Sequence, residues 1–158
     1  MQVFRGIPLK IINPNLKLTL IDSVNKKVNF MNNTIDLLKL NDIEAIHARA
    51  EELAHNSNYR ESFDIVVSRA VANMNTLVEY MLPFAKIGGK CICMKGNNTD
   101  DEINKSKNAI RKLGGCIEKI IEYSVEENER CLIIISKIKN TEQTYPRKSG
   151  KPLKEPIK

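Results

Sequence analysis

FDIVVSRAVANMNTLVEYMLPFAKIGGKCICMKG, residues 63–96, decides the fold. Ile65, Val66 and Val67 make an apolar run without alternation, as expected of a strand buried on both faces. Ser68 and Arg69 follow at its carboxyl end. Met74, Leu77, Val78, Met81 and Leu82 then recur at helical spacing. The pair Gly88-Gly89 predicts the helix stop, as a left-handed cap. Cys91, Ile92, Cys93 and Met94 supply the next strand, which ends on Lys95-Gly96. Strand, crossover helix and strand imply a parallel, right-handed unit. Ligands of open α/β sheets bind at the carboxyl ends of such strands, which is where Arg69 and Lys95 fall.

Upstream, GIPLKI (6–11) predicts a helix with Pro8 at its first position. LKLTLI (16–21) reads as a strand ended by Asp22. Val24, Val28, Met31, Ile35 and Leu38, four and three apart, mark a helix, and residues 43–48 a weak strand. Residues 49–53 open a short helical or looped segment, and 55–62 are polar and expected at the surface. Downstream, Ile103, Ile110 and Leu113 mark a helix stopped at Gly114-Gly115. Residues 116–125 and 131–138 are β-rich with no helix between them, so an antiparallel hairpin at the sheet edge is expected. The sum is an α/β sheet with helices on both faces. A parallel series closed by a hairpin is the class I methyltransferase pattern, although a nucleotide-binding Rossmann variant has similar spacing.

The chain has 158 residues, 42% of them hydrophobic and 28% charged, with a formal charge of +6. This fits one domain with a proper core, argues against membrane residence and favours a polyanionic partner. None of Cys91, Cys93, Cys116 and Cys131 has C-x-x-C spacing, and buried free thiols in a reducing cytoplasm are expected, with no metal site. Residues 1–139 are read as the folded domain. Residues 140–158 are read as a basic, Pro-interrupted tail that stays off the core.

Several segments together resemble one family: GIPLKI, TLIDSVNKKVNF (19–30), RAEEL (49–53), the FDIVVSRAVANMNTLVEY run, MKG (94–96) and YPRKSGKP (145–152). They are similar to the bacterial small-subunit (16S) ribosomal RNA guanine-N7 methyltransferases, also called the glucose-inhibited division protein B family. The resemblance implies a class I S-adenosylmethionine-dependent (Rossmann-like) fold, with 16S rRNA in the small ribosomal subunit as substrate. Members of that family carry a first central strand and a Gly-rich loop upstream, of which only Phe4 and Gly6-Ile7-Pro8 match here. The chain is therefore expected to be an amino-terminally truncated member with impaired activity. It would have open strand edges beside Asp22 and Val67 that favour self-association, unless those two strands pair directly. A non-catalytic remnant that binds RNA surfaces is the alternative.

Candidate sites follow. Asp22, between strand and helix, suits either the ribose hydroxyls of an adenosyl cofactor or a helix cap. Arg69 offers a planar, five-donor guanidinium at the ligand edge, or else a structural ion pair. Lys95-Gly96 suits substrate positioning or a solvated turn. The resemblance implies cofactor roles for Phe4, for the pair Ala50 and Glu51 on the adenine side, and for Arg69. Glu51 alone also suits the first turn of a helix. Arg147, Lys148, Lys151 and Lys154, spaced by Pro146, Gly150 and Pro152, are expected to meet RNA phosphates from an extended segment. Arg130, Lys112 and Lys119 read as a solvated face, and neither His47 nor His55 as catalytic.

Overall fold

The computed structural model describes residues 6–69, 72–96 and 99–158. It divides into two compact units, Met1–Ala50 and Glu51–Lys158. In the first, helix α1 (Gly6–Ile12) precedes strand β1 (Leu18–Asp22), helix α2 (Asn25–Leu37) and strand β2 (Ile43–His47). β1 and β2 pair in parallel, with Asp22 opposite His47. Val28, Met31 and Ile35 of the expected stripe are buried with Ile7 against Leu20, Leu40, Ile43 and Ala45. Val24 and Leu38, the ends of that stripe, are exposed because the helix is shorter than the pattern. Pro8 is the third helical residue rather than the first. Its missing N–H costs nothing there, since the first turn has no intrahelical acceptors. Lys10 is buried, and its ammonium donates to the Pro14 carbonyl at 2.7 Å and to that of Leu16.

The short helix α3 (Ala50–Leu53) leads into the second unit, which continues with β3 (Phe63–Arg69), α4 (Met74–Met81), β4 (Ala85–Gly96), α5 (Asp100–Lys112), β5 (Gly115–Val125), β6 (Asn128–Lys137) and α6 (Lys151–Lys154). Its sheet runs β3-β4-β6-β5. β3 and β4 are parallel, whereas β6 is antiparallel to both β4 and β5, which makes the expected hairpin. Met74, Leu77, Val78 and Met81 of α4 and Ile103, Ala109 and Ile110 of α5 bury Cys91, Cys93, Cys131, Ile133 and Ile135 on one sheet face. Cys116 lies outside that core and is exposed, unlike the buried thiol expected of it.

Three further expectations fail for identifiable reasons. α4 stops at Met81, ahead of Leu82 and Pro83. Leu82 is still helical in conformation and donates to the Val78 carbonyl, but Pro83 has no N–H to continue the ladder, so it rather than Gly88-Gly89 ends the helix. Those glycines instead lie inside β4, where the register to β3 shifts. A side chain at Gly89 would stand 2.8 Å from the Asp64 carbonyl and 2.9 Å from that of Phe63, so the close strand approach requires glycine.

β3 is buried on one face only: Val66 packs on the core while Ile65 is 57% and Val67 39% exposed. A short apolar run does not by itself tell one buried face from two. β1 and β3 belong to different sheets and each has one strand partner among the described residues, β2 and β4 respectively.

The largest correction concerns residues 140–158, which are packed. Thr141, Tyr145, Pro152 and Ile157 are buried, and residues 151–154 form α6. Arg60 holds this segment with its guanidinium: Nη1 donates to the carbonyls of Ala54 (3.0 Å) and Tyr145 (2.9 Å), Nη2 to those of Thr141 (2.8 Å) and Glu142 (3.1 Å). Lys137, fully buried, donates to Leu82 O and Thr141 Oγ1 and pairs with Glu61 at 3.0 Å. Prolines and lysines keep a segment off a core only when it has nothing apolar to bury. Tyr145, Pro152 and Ile157 supply that surface.

Candidate functional site

Parallel strands aim their carboxyl ends the same way, so β1 and β2 in the first unit, and β3 and β4 in the second, each present paired strand ends. Asp22 closes β1. Its Oδ1 accepts the Val24 N–H at 2.8 Å and its Oδ2 the Lys27 ammonium at 3.2 Å, with the side chain 17% exposed. It closes the turn before α2 but is not the helix cap that one expectation had, since the N-cap is Val24 with no side-chain cap bond, and each carboxylate oxygen keeps a lone pair for a further donor. His47, opposite it on β2, is engaged through Nε2 with the Ser23 carbonyl at 3.1 Å.

In the second unit Glu51 is nearly buried. Its Oε1 accepts the Gly150 N–H at 3.1 Å and, more distantly, the Ser149 hydroxyl at 3.4 Å. Its carboxylate therefore does more than face the helix dipole: it ties α3 to the loop before α6. Ala50 begins the same helix. Arg69 closes β3, exposed, opposite Met94 of β4.

Lys95 follows Met94, and the solvated-turn reading of it fails. It is 7% exposed, and its ammonium donates to the Ala72 carbonyl at 2.8 Å and to Glu102 Oε1 at 2.6 Å. The same Glu102 oxygen accepts the Met74 N–H at 2.5 Å, one of the first-turn donors of α4. Lys95 thus ties the start of α4 to the start of α5 with two of its three ammonium donors. The Gly96 carbonyl takes the Cys131 thiol at 3.5 Å. Phe4 lies outside the described residues.

Of the cations assigned to RNA, Arg147 is internal. Its Nε and Nη2 donate to the two oxygens of Glu79, at 2.9 and 2.7 Å, and its backbone N–H to Oε1 at 2.8 Å. Glu79 has no exposed side-chain surface. Lys148, Lys151 and Lys154 remain at the surface. His55 holds the same segment, through Nε2 and the Pro146 carbonyl at 2.7 Å. Sequence reasoning missed Arg60, Glu61, Glu79 and Glu102. An acid among apolar neighbours in LVEYM was the available signal for Glu79.

The family profile described as GidB, rRNA small subunit methyltransferase G, matches residues 4–133. The chain belongs to this family. A Ribosomal RNA small subunit methyltransferase G of Clostridium kluyveri is 50% identical over 155 residues, covering 98% of this chain and 65% of that protein. One of Oenococcus oeni is 46% identical over 155 residues, covering 98% and 64%. The chain thus spans just under two thirds of the length of the curated relatives it matches. Among solved structures, M. jannaschii TYW2 in complex with AdoMet superposes with a TM-score of 0.65 at 17% identity, covering 84% of this chain and 63% of that one. An rRNA methylase from Streptococcus thermophilus gives 0.57 at 16%, covering 78% and 74%. These likenesses show the fold, the α/β class I methyltransferase architecture with a mixed sheet.

Proposed function

We propose that the chain takes part in S-adenosylmethionine-dependent methylation of guanine N7 in the 16S rRNA of the small ribosomal subunit. Family membership supports the reaction class, and the observation that carries the cofactor reading is Asp22. A carboxylate at the carboxyl end of a parallel strand, with each oxygen holding one fixed protein donor and one lone pair in hand, fits a vicinal diol such as the ribose hydroxyls. The Val24 N–H and Lys27 fix its orientation beforehand, which lowers the cost of ordering it on binding.

The family resemblance supports roles toward the adenosine half of the cofactor for four residues, each read within its own unit. Asp22 would hold the ribose, the backbone and carboxylate at Ala50 and Glu51 would edge the adenine, and Arg69 would supply donors at the end of β3. Glu51 keeps its Oε2 for this, because Gly150 and Ser149 engage Oε1. The cofactor, when bound, supplies an electrophilic sulfonium methyl. Guanine N7 already carries an accessible lone pair, so no general base is required of the protein. What this chain's residues contribute is alignment of the two reactants and a fixed electrostatic surround.

The test is transfer of tritiated methyl from S-adenosylmethionine to small subunits that lack the modification, followed by nucleoside analysis. Label recovered as 7-methylguanosine and lost in Asp22→Ala is the expected result. No label from a chain that is folded by circular dichroism, or label in another nucleoside, overturns the proposal.

A further inference from the structure

The packed carboxyl-terminal segment lies across α4 and reaches α5 at its two ends. Asn75 of α4 donates through Nδ2 to the Lys105 carbonyl at 3.2 Å and to the Ile157 carbonyl at 2.5 Å. Asn108 donates to the Lys158 carbonyl at 2.5 Å. At the other end of α5 the Lys112 ammonium stands 5.7 Å over the Tyr145 ring. Thr76 fixes the middle of the segment by donating to the Pro152 carbonyl at 2.9 Å. Lys105, Asn108 and Lys112 are three and four residues apart, so they form one stripe on α5, and it is the stripe that the segment borders.

Two sets of lysines are therefore fixed by one packed unit, the segment touching α5 at Tyr145 and Lys158 and packing between them on Thr76 and Glu79 of α4. Lys105 and Lys112 come from the helix, Lys148, Lys151 and Lys154 from the segment, and all five are exposed. Among the described residues, Lys151 alone of the five has a carboxylate partner, Glu155 at 3.9 Å, itself exposed. The acids of α5, Asp100, Asp101 and Glu102, are in its first turn, away from Lys112, and Asp101, one turn before Lys105, forms no ion pair with it. Holding five like charges together opposes folding, and a polyanion relieves that repulsion. Lysine ammoniums are compact point charges suited to phosphates rather than to base edges.

We infer that the Lys105–Lys112 stripe and the packed 145–158 segment form one phosphate-binding face that docks an RNA backbone without reading its sequence. The identity of that RNA as rRNA rests on the function proposed above. Arg147 has no part in this face, because Glu79 holds it.

The experiment measures affinity of the purified chain for small ribosomal subunits and for bare 16S rRNA between 50 and 200 mM salt, as order-of-magnitude conditions for counterion release. Glutamine variants remove the helix set (Lys105, Lys112), the segment set (Lys148, Lys151, Lys154), or both. Lys119→Gln serves as the control, since its register partner is Ile134 on the opposite sheet face from Ile133 and Ile135. Each neutralised phosphate contact removes roughly 0.7–0.9 from the slope of log affinity against log salt. The helix set should reduce the slope by about 1.5 and the segment set by about 2–3, with both losses adding and Lys119→Gln changing nothing. All five positions are exposed, so folding should be unaltered.

A slope unmoved by the helix set overturns the composite face, as does a combined variant no weaker than Lys119→Gln. Binding to anionic phospholipid vesicles but not to RNA overturns it too. A chain that binds RNA through these lysines yet transfers no methyl would sink the proposed function and leave the face standing. Intact transfer with an unchanged slope would do the reverse.

Discussion

Arg147→Ala should destabilise the second unit rather than weaken RNA binding. Glu79 has no exposed side-chain surface, and Arg147 satisfies both of its oxygens through Nε and Nη2 while its own side chain is 21% exposed. The bonds it donates to Glu79 hold the guanidinium even more firmly protonated than usual. Removing one partner of a buried, hydrogen-bonded pair costs about 3–5 kcal/mol, because a charge is left behind in low dielectric. Here the backbone N–H of Arg147 still reaches Glu79 Oε1, and the partial exposure of the arginine lets water follow. A loss of about 2–4 kcal/mol is therefore expected, a large part of the total stability of a domain. At a urea dependence of about 2 kcal/mol per molar, the unfolding midpoint should fall by roughly 1–2 M. Equilibrium urea unfolding followed by circular dichroism measures it. Replacing both partners by methionine should cost less than Arg147→Ala, since no buried charge is stranded. A midpoint moved by less than about 0.3 M, with the affinity for small subunits falling, would refute the reasoning and return Arg147 to the RNA.

Gly114 has φ of +90°, and a side chain there would strike the Lys139 carbonyl, so Gly114→Ala should lower the melting temperature by at least about 5 °C, read by thermal circular dichroism. Iodoacetamide on the native chain should label Cys116 first, by intact mass and peptide mapping. Burial pushes the Cys93 thiol up to about 12 and raises Cys91 further, so both should react only on unfolding. Burial acts to raise the Glu61 carboxyl, but bonds from Asn140, the Thr141 N–H and Lys137 outweigh it and hold the group below its ordinary 4.5. A carboxyl lowered on folding contributes stability above its unfolded value, and that contribution is lost as pH falls through the folded one. Stability should therefore decline below about pH 4.5, and Glu61→Gln should flatten that part of the profile in urea titrations at stepped pH.

Where hydrophobic period alone decides an element, the sequence was sufficient. The Val28, Met31 and Ile35 stripe buries as read, and two β-rich runs with no helix between them had to return antiparallel. Strand ends were legible for the same reason, which is why Asp22 and Arg69 could be placed at the carboxyl ends of β1 and β3 from residue order. The errors came where two local signals competed or where burial depended on neighbours outside the window. Pro83 and Gly88-Gly89 both end helices, and the earlier one acts first. Ile65 and Val67 look like Val66 in sequence, and only the arrangement of α4 and α5 on one sheet face separates them.

The polar network was illegible for a different reason. Arg147 and Glu79 are 68 residues apart, and Arg60 is 85 from Tyr145, so no spacing rule links them. Composition points the other way: residues 140–158 are basic and rich in proline, which favours a reading by charge alone. The apolar residues within them were the better signal. Tyr145, Pro152 and Ile157 bury themselves, and in doing so they sort the cations of the segment by chemistry. The guanidinium of Arg147, able to satisfy both oxygens of a carboxylate from a rigid fork, is taken inside onto Glu79. The ammoniums of Lys148, Lys151 and Lys154, strongly hydrated and single-point, stay outside. Packing thus converts a run of like charges into one structural arginine and a fixed row of lysines, and only the row is available to a polyanion. A disordered tail of the same composition would have offered all four, with the entropy of ordering them still to overcome on binding.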